Sequence, residues 1–301
     1  MLAYQPVKTL TKVNVAIFQG FAAAERILPI IDIKNEIDLN IDKDELAISK
    51  GDIIFENVNF TYKSNPQNRV LQNVSANFAG GKMTALVGHS GSGKSTVLHL
   101  VSSLLIAQKG QLKIDGVSID SSNVSDYRYL FSYVNQDVFM LNDTILKNIA
   151  FADANPNQAK IKDCLNKVNL TNWVESLPNG IHTSIGELGS QISGGQRQRI
   201  AIARALYKDS EIFLFDEISN NLDEESKAEI LKTMKAIKRE GKTAIFVTHN
   251  REELEICNVI YSIENNKINR KLKKTIENCR NNYIKQFLLF SVIFCVFLSF
   301  S

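Results

Sequence analysis

A glycine-rich stretch between residues 88 and 96 has the residue types of a phosphate-binding loop. It follows the pattern G-x-x-x-x-G-K-[ST] and reads Gly88-His89-Ser90-Gly91-Ser92-Gly93-Lys94-Ser95-Thr96. Glycines let several backbone N–H groups point at one anion, and a following helix adds the positive end of its dipole. We expect Lys94 to reach the β- and γ-phosphates of a nucleotide and the Ser95 hydroxyl to hold Mg²⁺. The alternative, a glycine-rich turn without a ligand, does not account for the apolar run before the loop and the helical pattern after it.

A pair of acidic residues follows another apolar run. Asp216 and Glu217 come directly after Ile212–Phe215, and the carboxyl ends of buried strands are where α/β sheets place their ligands. We expect Asp216 to hold Mg²⁺, directly or through water. Glu217 is then placed to polarise a water for in-line attack on the γ-phosphate. The alternative is an acid pair at the edge of a sheet that has no chemical role.

A third segment, Ser193-Gly194-Gly195-Gln196, opens a helical pattern that runs to Leu206. Small residues at a helix start are expected to leave backbone N–H groups available for an anion. For this segment alone, the alternative is a capped amphipathic helix without a ligand.

The elements that must position these residues alternate along residues 51–270, which is typical of an α/β core. An apolar–polar alternation predicts a half-buried strand over Ile53–Tyr62. Short apolar runs predict buried strands of a mainly parallel sheet at Met83–Val87, Phe131–Val134, Ile212–Phe215 and Ala244–Thr248. Helical patterns lie between them at Thr96–Leu105, Gln158–Val168, Gly194–Tyr207 and Glu225–Arg239. Hairpin turns are predicted at Asp115-Gly116 and Asn265-Asn266.

The two ends of the chain differ from its centre. We predict three regions, 1–50, 51–270 and 271–301. The first contains a helix over Val7–Ile31, without a secretory signal and without an apolar span of membrane-crossing length before residue 51. The last begins basic and ends in the apolar run Phe287–Phe300. This run either enters a membrane or lies at its interface, or it is buried in the protein or an anomalous end of the gene product.

Composition sets outer limits on function. The chain has 301 residues, of which 44% are hydrophobic and 22% charged, as in ordinary globular proteins. A net charge of +3 is too small to favour nucleic acid as a partner. The cysteines show neither C-x-x-C pairs nor metal-ligand spacing, so reduced thiols in the cytosol are predicted; they are Cys164, Cys257, Cys279 and Cys295.

The chain resembles the ATPase domain of the ABC transporter family in the order of three motifs. These are the phosphate loop, Ser193–Gln196 and the Asp216-Glu217 pair. Ser-Gly-Gly-Gln at this place is similar to the signature of that family, and the resemblance covers about residues 51–270. It implies a P-loop NTPase core of the ABC ATPase type. It also implies an antiparallel β subdomain and a helical subdomain that carries the signature.

The resemblance implies four further site residues. Tyr62 would stack on adenine, and Gln136 would sense Mg²⁺ and the attacking water. Asp223, in Leu222-Asp223, matches the end of the D-loop. His249, in Val247-Thr248-His249, would contact the γ-phosphate.

The resemblance also implies partners and a location. ABC exporters hold ATP and Mg²⁺ between the phosphate loop of one ATPase domain and the signature of a second, which implies a homodimer. A transmembrane domain is expected to contact the regions of Gln136 and Glu187. Two N-terminal segments, Tyr4–Lys8 and Ala22–Ile27, resemble the cytosolic end of the last transmembrane helix of bacterial lipid and multidrug exporters, including the lipid A flippase group. The alternative for these segments is an amphipathic docking helix. The expected function is ATP hydrolysis that powers export of a lipid or hydrophobic compound, at the cytoplasmic face of the membrane.

Two positions depart from the family pattern. Ile192 replaces the usual Leu before the signature, a volume-conserving change, and the D-loop segment Ser219–Asp223 has Asn where Ala is common. Two other functions stay open. One is a soluble ABC ATPase of DNA repair or translation, although this sequence shows no coiled-coil insertion or tandem ATPase domain. The other is a truncated or diverged ATPase that binds ATP without transport.

Overall fold

The computed structural model describes residues 4–32, 50–119 and 127–271. It separates into two units, Met1–Asp42 and Lys43–Ser301. The C-terminal run Phe287–Phe300 lies outside the described residues. The division into three regions therefore stays a prediction.

The first unit contains one long helix, α1 (Tyr4–Ile31). It begins earlier than predicted because Pro6 lies in its first turn, where a missing N–H costs no hydrogen bond. Its segment Lys8–Ile31 is long and apolar enough to cross a membrane, by length and composition only. The prediction that no such span precedes residue 51 was therefore wrong. That prediction required an unbroken apolar run, whereas Ala, Val and Phe residues here raise the average hydropathy across a few polar ones.

The second unit is built around a six-stranded sheet with the order β10-β9-β3-β8-β7-β6. All neighbouring strands are parallel except the β9–β10 pair, which confirms the predicted mainly parallel sheet. The central strands are short and buried on both faces, as their apolar sequences require. The six strands of this sheet are β3 (Met83–Val87), β6 (Phe131–Val134), β7 (Ile212–Asp216), β8 (Thr243–Val247), β9 (Val259–Glu264) and the edge strand β10 (Lys267–Lys271).

A four-stranded antiparallel sheet with the order β2-β1-β4-β5 forms the predicted β subdomain. It consists of β1 (Ile53–Thr61), β2 (Arg69–Phe78), β4 (Lys109–Ile114) and β5 (Val117–Ile119). The hairpin between β4 and β5 turns at Asp115 and Gly116, which both have positive φ, as a two-residue turn requires. The β9–β10 hairpin turns at Asn265 and Asn266 in the same way. Both predicted hairpin turns are confirmed.

The described helices of the second unit include four that the sequence patterns predicted, which agree with the predicted bounds with one exception, and three short ones that were not predicted. They are α2 (Lys94–Val101), α3 (Ile145–Ile149), α4 (Gln158–Lys167), α5 (Thr171–Ser176), α6 (Gly194–Lys208), α7 (Glu224–Arg239) and α8 (Arg251–Ile256). The three that were not predicted are α3, α5 and α8. The exception is α2, which was predicted to run to Leu105 but ends at Val101. Its end follows from Ser103, which adopts a left-handed φ of 55°. The Ser102 hydroxyl also donates back to the His99 carbonyl, which competes with continued helix.

The large sheet separates two apolar cores, because successive residues of a strand face opposite sides. Phe213, Phe215 and Phe246 stack on one face, with ring centroids 6.0 and 4.7 Å apart. Ile212 and Leu214 lie in the core of the other face. This packing fixes the carboxyl end of β7, where the acidic pair is found.

Candidate functional site

The phosphate loop lies between β3 and α2 and folds around its own lysine. Lys94 is 6% exposed, and its Nζ donates to the carbonyls of Gly88 at 3.0 Å and His89 at 3.1 Å. Gly91 and Gly93 have φ values of 76° and 100°, a region that residues with a side chain rarely adopt. A Cβ at Gly93 would lie 2.8 Å from the Val70 side chain. The loop therefore needs glycine both for its conformation and for space.

The acidic pair ends β7 beside this loop. The buried Asp216 accepts a hydrogen bond of 3.1 Å from the Tyr133 hydroxyl through Oδ2. Glu217 leaves the strand with a left-handed φ of 52°, and its N–H donates to the Val247 carbonyl. The Glu217 Oε1 lies 3.9 Å from Lys94 Nζ. The structure thus brings the predicted base and the phosphate-loop lysine together.

His249 follows β8 and completes this group. Its Nε2 lies 3.8 Å from Glu217 Oε1, and 53% of its side chain is exposed. Burial of the ring and the positive charge of Lys94 lower the pKa of His249, while Glu217 opposes the change. A neutral imidazole at pH 7 keeps one N–H donor and no net charge.

The Tyr133 hydroxyl stays a donor to Asp216. Burial and the neighbouring Asp216 carboxylate raise the pKa of Tyr133 far above its usual value. The Tyr133 ring also makes an edge contact with His99 of α2, with centroids 5.6 Å apart. A half-buried phenol thus links the end of β7 to the helix that follows the phosphate loop.

Tyr62 lies directly after β1 and beside the start of α2. Its hydroxyl is 3.0 Å from Thr96 Oγ1, and its ring makes an edge contact with Phe60. The ring is 37% exposed, so part of its surface is free for a contact. Its stacking on adenine stays a prediction.

The signature segment begins α6 with a capping box. Ser193 Oγ accepts from the Gln196 N–H at 3.2 Å, and Gln196 Oε1 accepts from the Ser193 N–H at 2.9 Å. The expectation of free N–H groups at this helix start is therefore wrong for Gln196, whose N–H is already bonded. The S-x-x-Q spacing is a known sequence signal for this arrangement and could have predicted it.

The signature packs against the D-loop region. Asp223 caps α7 by accepting from the Ser226 N–H at 2.8 Å and from the Ser226 hydroxyl at 2.9 Å, and these bonds lower the pKa of Asp223. A Cβ at Gly195 would clash with Ser226 Oγ. Gly195 is thus required for this close approach. Among the described residues, no hydrogen bond or ion pair joins Ser193–Gln196 to the phosphate loop.

Gln136 and Glu187 lie apart from the acidic pair in sequence and are both exposed. Gln136 follows β6 between Asn135 and Asp137, which line a cavity of about 790 Å³ beside α6. Glu187 begins a short 3₁₀ turn, Glu187–Gly189. A membrane-domain contact at these two regions stays a prediction.

The residues predicted to bind Mg²⁺ have the donor chemistry of a magnesium site. Among the residues that the structure describes, no cluster of three or more His, Cys, Asp or Glu side chains could hold a metal. Mg²⁺ in nucleotide sites takes one or two protein oxygens together with phosphates and water. The Asp216 carboxylate and the exposed Ser95 hydroxyl are oxygen donors of that kind, with Gln136 as a third.

Sequence reasoning did not find three side chains around the site. The sequence places Tyr133 only in a predicted strand and Asn220 only in the D-loop segment Ser219–Asp223. Asn220 in fact donates to the carboxylate of Glu217. The third, Glu253 of α8, is a buried carboxyl group with hydrogen bonds to Thr248 and Ser219. Nothing in the local sequence around these residues predicts their partners, which come from other turns or strands.

Comparisons with known proteins concern the family and the fold. Residues 71–220 match the family model described as ABC transporter. The chain is 38% identical over 264 residues to an ATP-dependent lipid A-core flippase of Saccharophagus degradans, covering 88% of this chain and 44% of that protein. A flippase of the same name from Desulfotalea psychrophila is 35% identical, with 46% of its length covered. The chain thus spans less than half the length of these relatives.

A solved structure gives the same result for the fold. The structure of a bacterial Atm1-family ABC exporter with ATP bound superposes with a TM-score of 0.78 at 30% identity. The match covers 88% of this chain and 46% of that one. The predicted fold class is therefore confirmed.

Proposed function

This chain belongs to the ABC transporter family through its ATPase domain, and we propose that it binds and hydrolyses ATP to power an exporter. The observation that carries the proposal is the position of Glu217. Its Oε1 lies 3.9 Å from Lys94 Nζ and 3.8 Å from His249 Nε2, at the end of a buried strand. A carboxylate between a phosphate-loop lysine and a neutral histidine can accept a proton from water next to a γ-phosphate.

Each side chain has a distinct part in the proposed reaction. Lys94 and His249 stabilise charge on the γ-phosphoryl group, and Glu217 orients the attacking water and accepts its proton. Asp216, Ser95 and Gln136 would hold Mg²⁺, which neutralises phosphate charge when bound. Because the transfer needs little covalent chemistry from the protein, positioning and electrostatics supply most of the rate enhancement.

A second copy of the chain completes the site in this proposal. One phosphate loop cannot surround a triphosphate alone, and Ser193–Gln196 makes no hydrogen bond to the loop of its own chain. The start of α6 in a head-to-tail partner would supply N–H donors and a favourable helix dipole. ATP then holds the two copies together, and hydrolysis releases them.

We further propose that the exported compound is a lipid or another hydrophobic molecule. The similar full-length proteins are named ATP-dependent lipid A-core flippases. The transmembrane domain that selects the compound would dock at the regions of Gln136 and Glu187. Docked in this way, the ATPase domain would lie at the cytoplasmic face of a membrane.

The test is the Glu217→Gln variant, which keeps shape but removes the base. We expect ATP binding and ATP-driven dimerisation to be retained, while turnover falls by about two to four orders of magnitude. Turnover is measured by phosphate release, and dimerisation by light scattering with ATP and Mg²⁺. Glu175→Gln makes the same change at an exposed site in α5 and serves as the control. Unchanged turnover in Glu217→Gln would remove Glu217 from its role.

A further inference from the structure

The turn that follows β7 is closed by Asn220, three residues after Glu217. The Asn220 N–H donates to the Glu217 carbonyl at 3.1 Å. Glu217 itself has the left-handed φ of 52°, which is uncommon for a residue with a long side chain. Asn220 thus stabilises the backbone conformation that turns Glu217 out of the strand.

The side chain of Asn220 makes a second contact with the same residue. Its Nδ2 donates to Glu217 Oε2 at 2.5 Å. The other carboxylate oxygen, Oε1, is the one that faces Lys94 and His249. The two oxygens of Glu217 therefore have separate environments, one bonded to an amide and one directed at the phosphate-binding side.

This arrangement fixes the rotation of the carboxylate without changing the charge of the site. A hydrogen bond to an ionised acceptor is stronger than one between neutral groups. A lysine or arginine at position 220 would add a positive charge, whereas the amide of Asn220 adds none. Rotation of Glu217 about its side-chain bonds would move Oε1 away from Lys94. A general base that is held close to its working position keeps the rate advantage that correct orientation provides.

We propose that Asn220 is a positioning residue that holds the Glu217 carboxylate so that Oε1 faces the attacking water. The inference rests on the proposed function, because it assigns a role only if Glu217 is the base. It goes beyond that proposal because it assigns a role to Asn220, a residue that the proposed reaction does not use.

A purely structural role for Asn220 makes a different prediction. Asn and Asp are both favoured in turns, and both tolerate the backbone conformations that turns require. Asn220→Asp keeps the shape and the turn but replaces the donor with a second carboxylate next to Glu217. If Asn220 were needed only for the turn, the Asn220→Asp variant would keep the wild-type kcat. A positioning residue would be impaired more by Asp than by Ala.

The experiment compares ATP hydrolysis of Asn220→Ala and Asn220→Asp with the wild-type chain. We expect kcat to fall about tenfold in Asn220→Ala and further in Asn220→Asp, with KM for ATP within about twofold, since the contact acts on orientation rather than binding. Asn172→Ala, at an exposed site in α5, is the control and should behave as wild type. Equal kcat in Asn220→Asp and wild type would overturn the inference.

A double-mutant cycle tests whether Asn220 acts through Glu217. Adding Asn220→Ala to Glu217→Gln should lower the residual turnover by less than about twofold, because the carboxylate it positions is already absent. A full tenfold loss in that background would overturn the inference. If the wild-type chain hydrolyses no ATP, the proposed function itself fails, which is a separate result from turnover that does not respond to position 220.

The contact has a readout that does not depend on turnover. In ¹⁵N-labelled protein, the side-chain amide signals of Asn220 are identified by their loss in Asn220→Ala. They should shift in Glu217→Gln, because the charged acceptor is gone, and stay in place in Asn172→Ala. Signals that do not respond to Glu217→Gln would show that the contact is absent in solution.

Discussion

At the scale of single residues, the site depends on the point where the backbone leaves strand β7, at Glu217. Asp216 is the last residue of β7 and is held by Tyr133. If Glu217 continued the strand, its side chain would alternate to the opposite face of the sheet. The left-handed φ of Glu217 breaks that alternation, and its Oε1 then lies 3.9 Å from Lys94. Two adjacent acids can therefore serve one phosphate site.

A buried acid lies behind this turn. Glu253 is 3% exposed, and burial raises its pKa, while hydrogen bonds with Thr248 and Ser219 oppose the change. Thr248 precedes His249, and Ser219 lies in the turn after Glu217. The Glu253 carboxyl thus connects the two segments that carry the histidine and the base.

The sign of the pH effect at Glu253 follows from its raised pKa. The folded protein favours the protonated acid, so the stability contributed by Glu253 is full below the unfolded-state pKa and is lost as the pH rises through the folded-state pKa. Glu253→Gln imitates the neutral acid. We expect it to raise the Tm at about pH 8, with a smaller change at about pH 5. Scanning calorimetry at both values measures this, with Glu175→Gln as control. A larger gain at the lower pH would contradict the argument.

At the scale of elements, short buried runs made the large sheet predictable. Strands β3, β6, β7 and β8 begin and end within about one residue of their predicted bounds, because their apolar runs stop at polar or glycine residues. The end of α2 was not predictable in this way. The run Val101–Leu105 continues a helical apolar pattern, and only the left-handed Ser103 ends the helix. The local sequence pattern does not predict this left-handed backbone conformation.

The residues of the candidate site also fall into those that the sequence predicts and those that it does not. Lys94, Asp216 and Glu217 were predictable because their chemistry is carried by adjacent residues in fixed order. Asn220 and Glu253 were not, because their importance depends on side-chain rotamers and on partners from other elements. Sequence patterns specify which element a residue is in, but not which atom of a distant residue it contacts.

The capping box of α6 allows structure and binding to be separated at Ser193. Ser193→Ala removes the cap, which typically costs about 1 kcal/mol, so we expect a fall in Tm of about 2–4 °C. Asp is as good a cap as Ser, so Ser193→Asp should keep the wild-type Tm. It places a negative charge where the proposed dimer brings the phosphates, and ATP-driven dimerisation should be lost.

The measurement combines calorimetry with light scattering of each variant in the Glu217→Gln background, with ATP and Mg²⁺ present. Asp substitution at exposed Ser176 of α5 adds the same charge away from the site. If Ser193→Asp dimerises as well as this control, the signature does not face the phosphates of a partner.

At the scale of the whole molecule, the described chain has two parts of different character. The helix α1 exposes a run of large apolar side chains, among them Phe18 and Phe21. By length and composition only, it is long and apolar enough to cross a membrane. The second unit buries its apolar residues in two cores on either side of one sheet. A unit that has its own apolar cores, together with the proposal that its site is shared between two copies, is consistent with function as part of a larger assembly.

The division of the site between two copies can be tested by mixing two inactive variants. Lys94→Ala disables the phosphate loop and keeps the signature, whereas Ser193→Asp does the reverse. In a head-to-tail heterodimer of the two, one site receives both intact halves and the other receives neither. Random pairing makes half of the dimers mixed, so turnover should recover to at most about one quarter of wild type. Phosphate release is measured before and after mixing. If each copy held ATP with its own phosphate loop and its own signature, the mixture would stay as inactive as its components, and the shared site would be excluded.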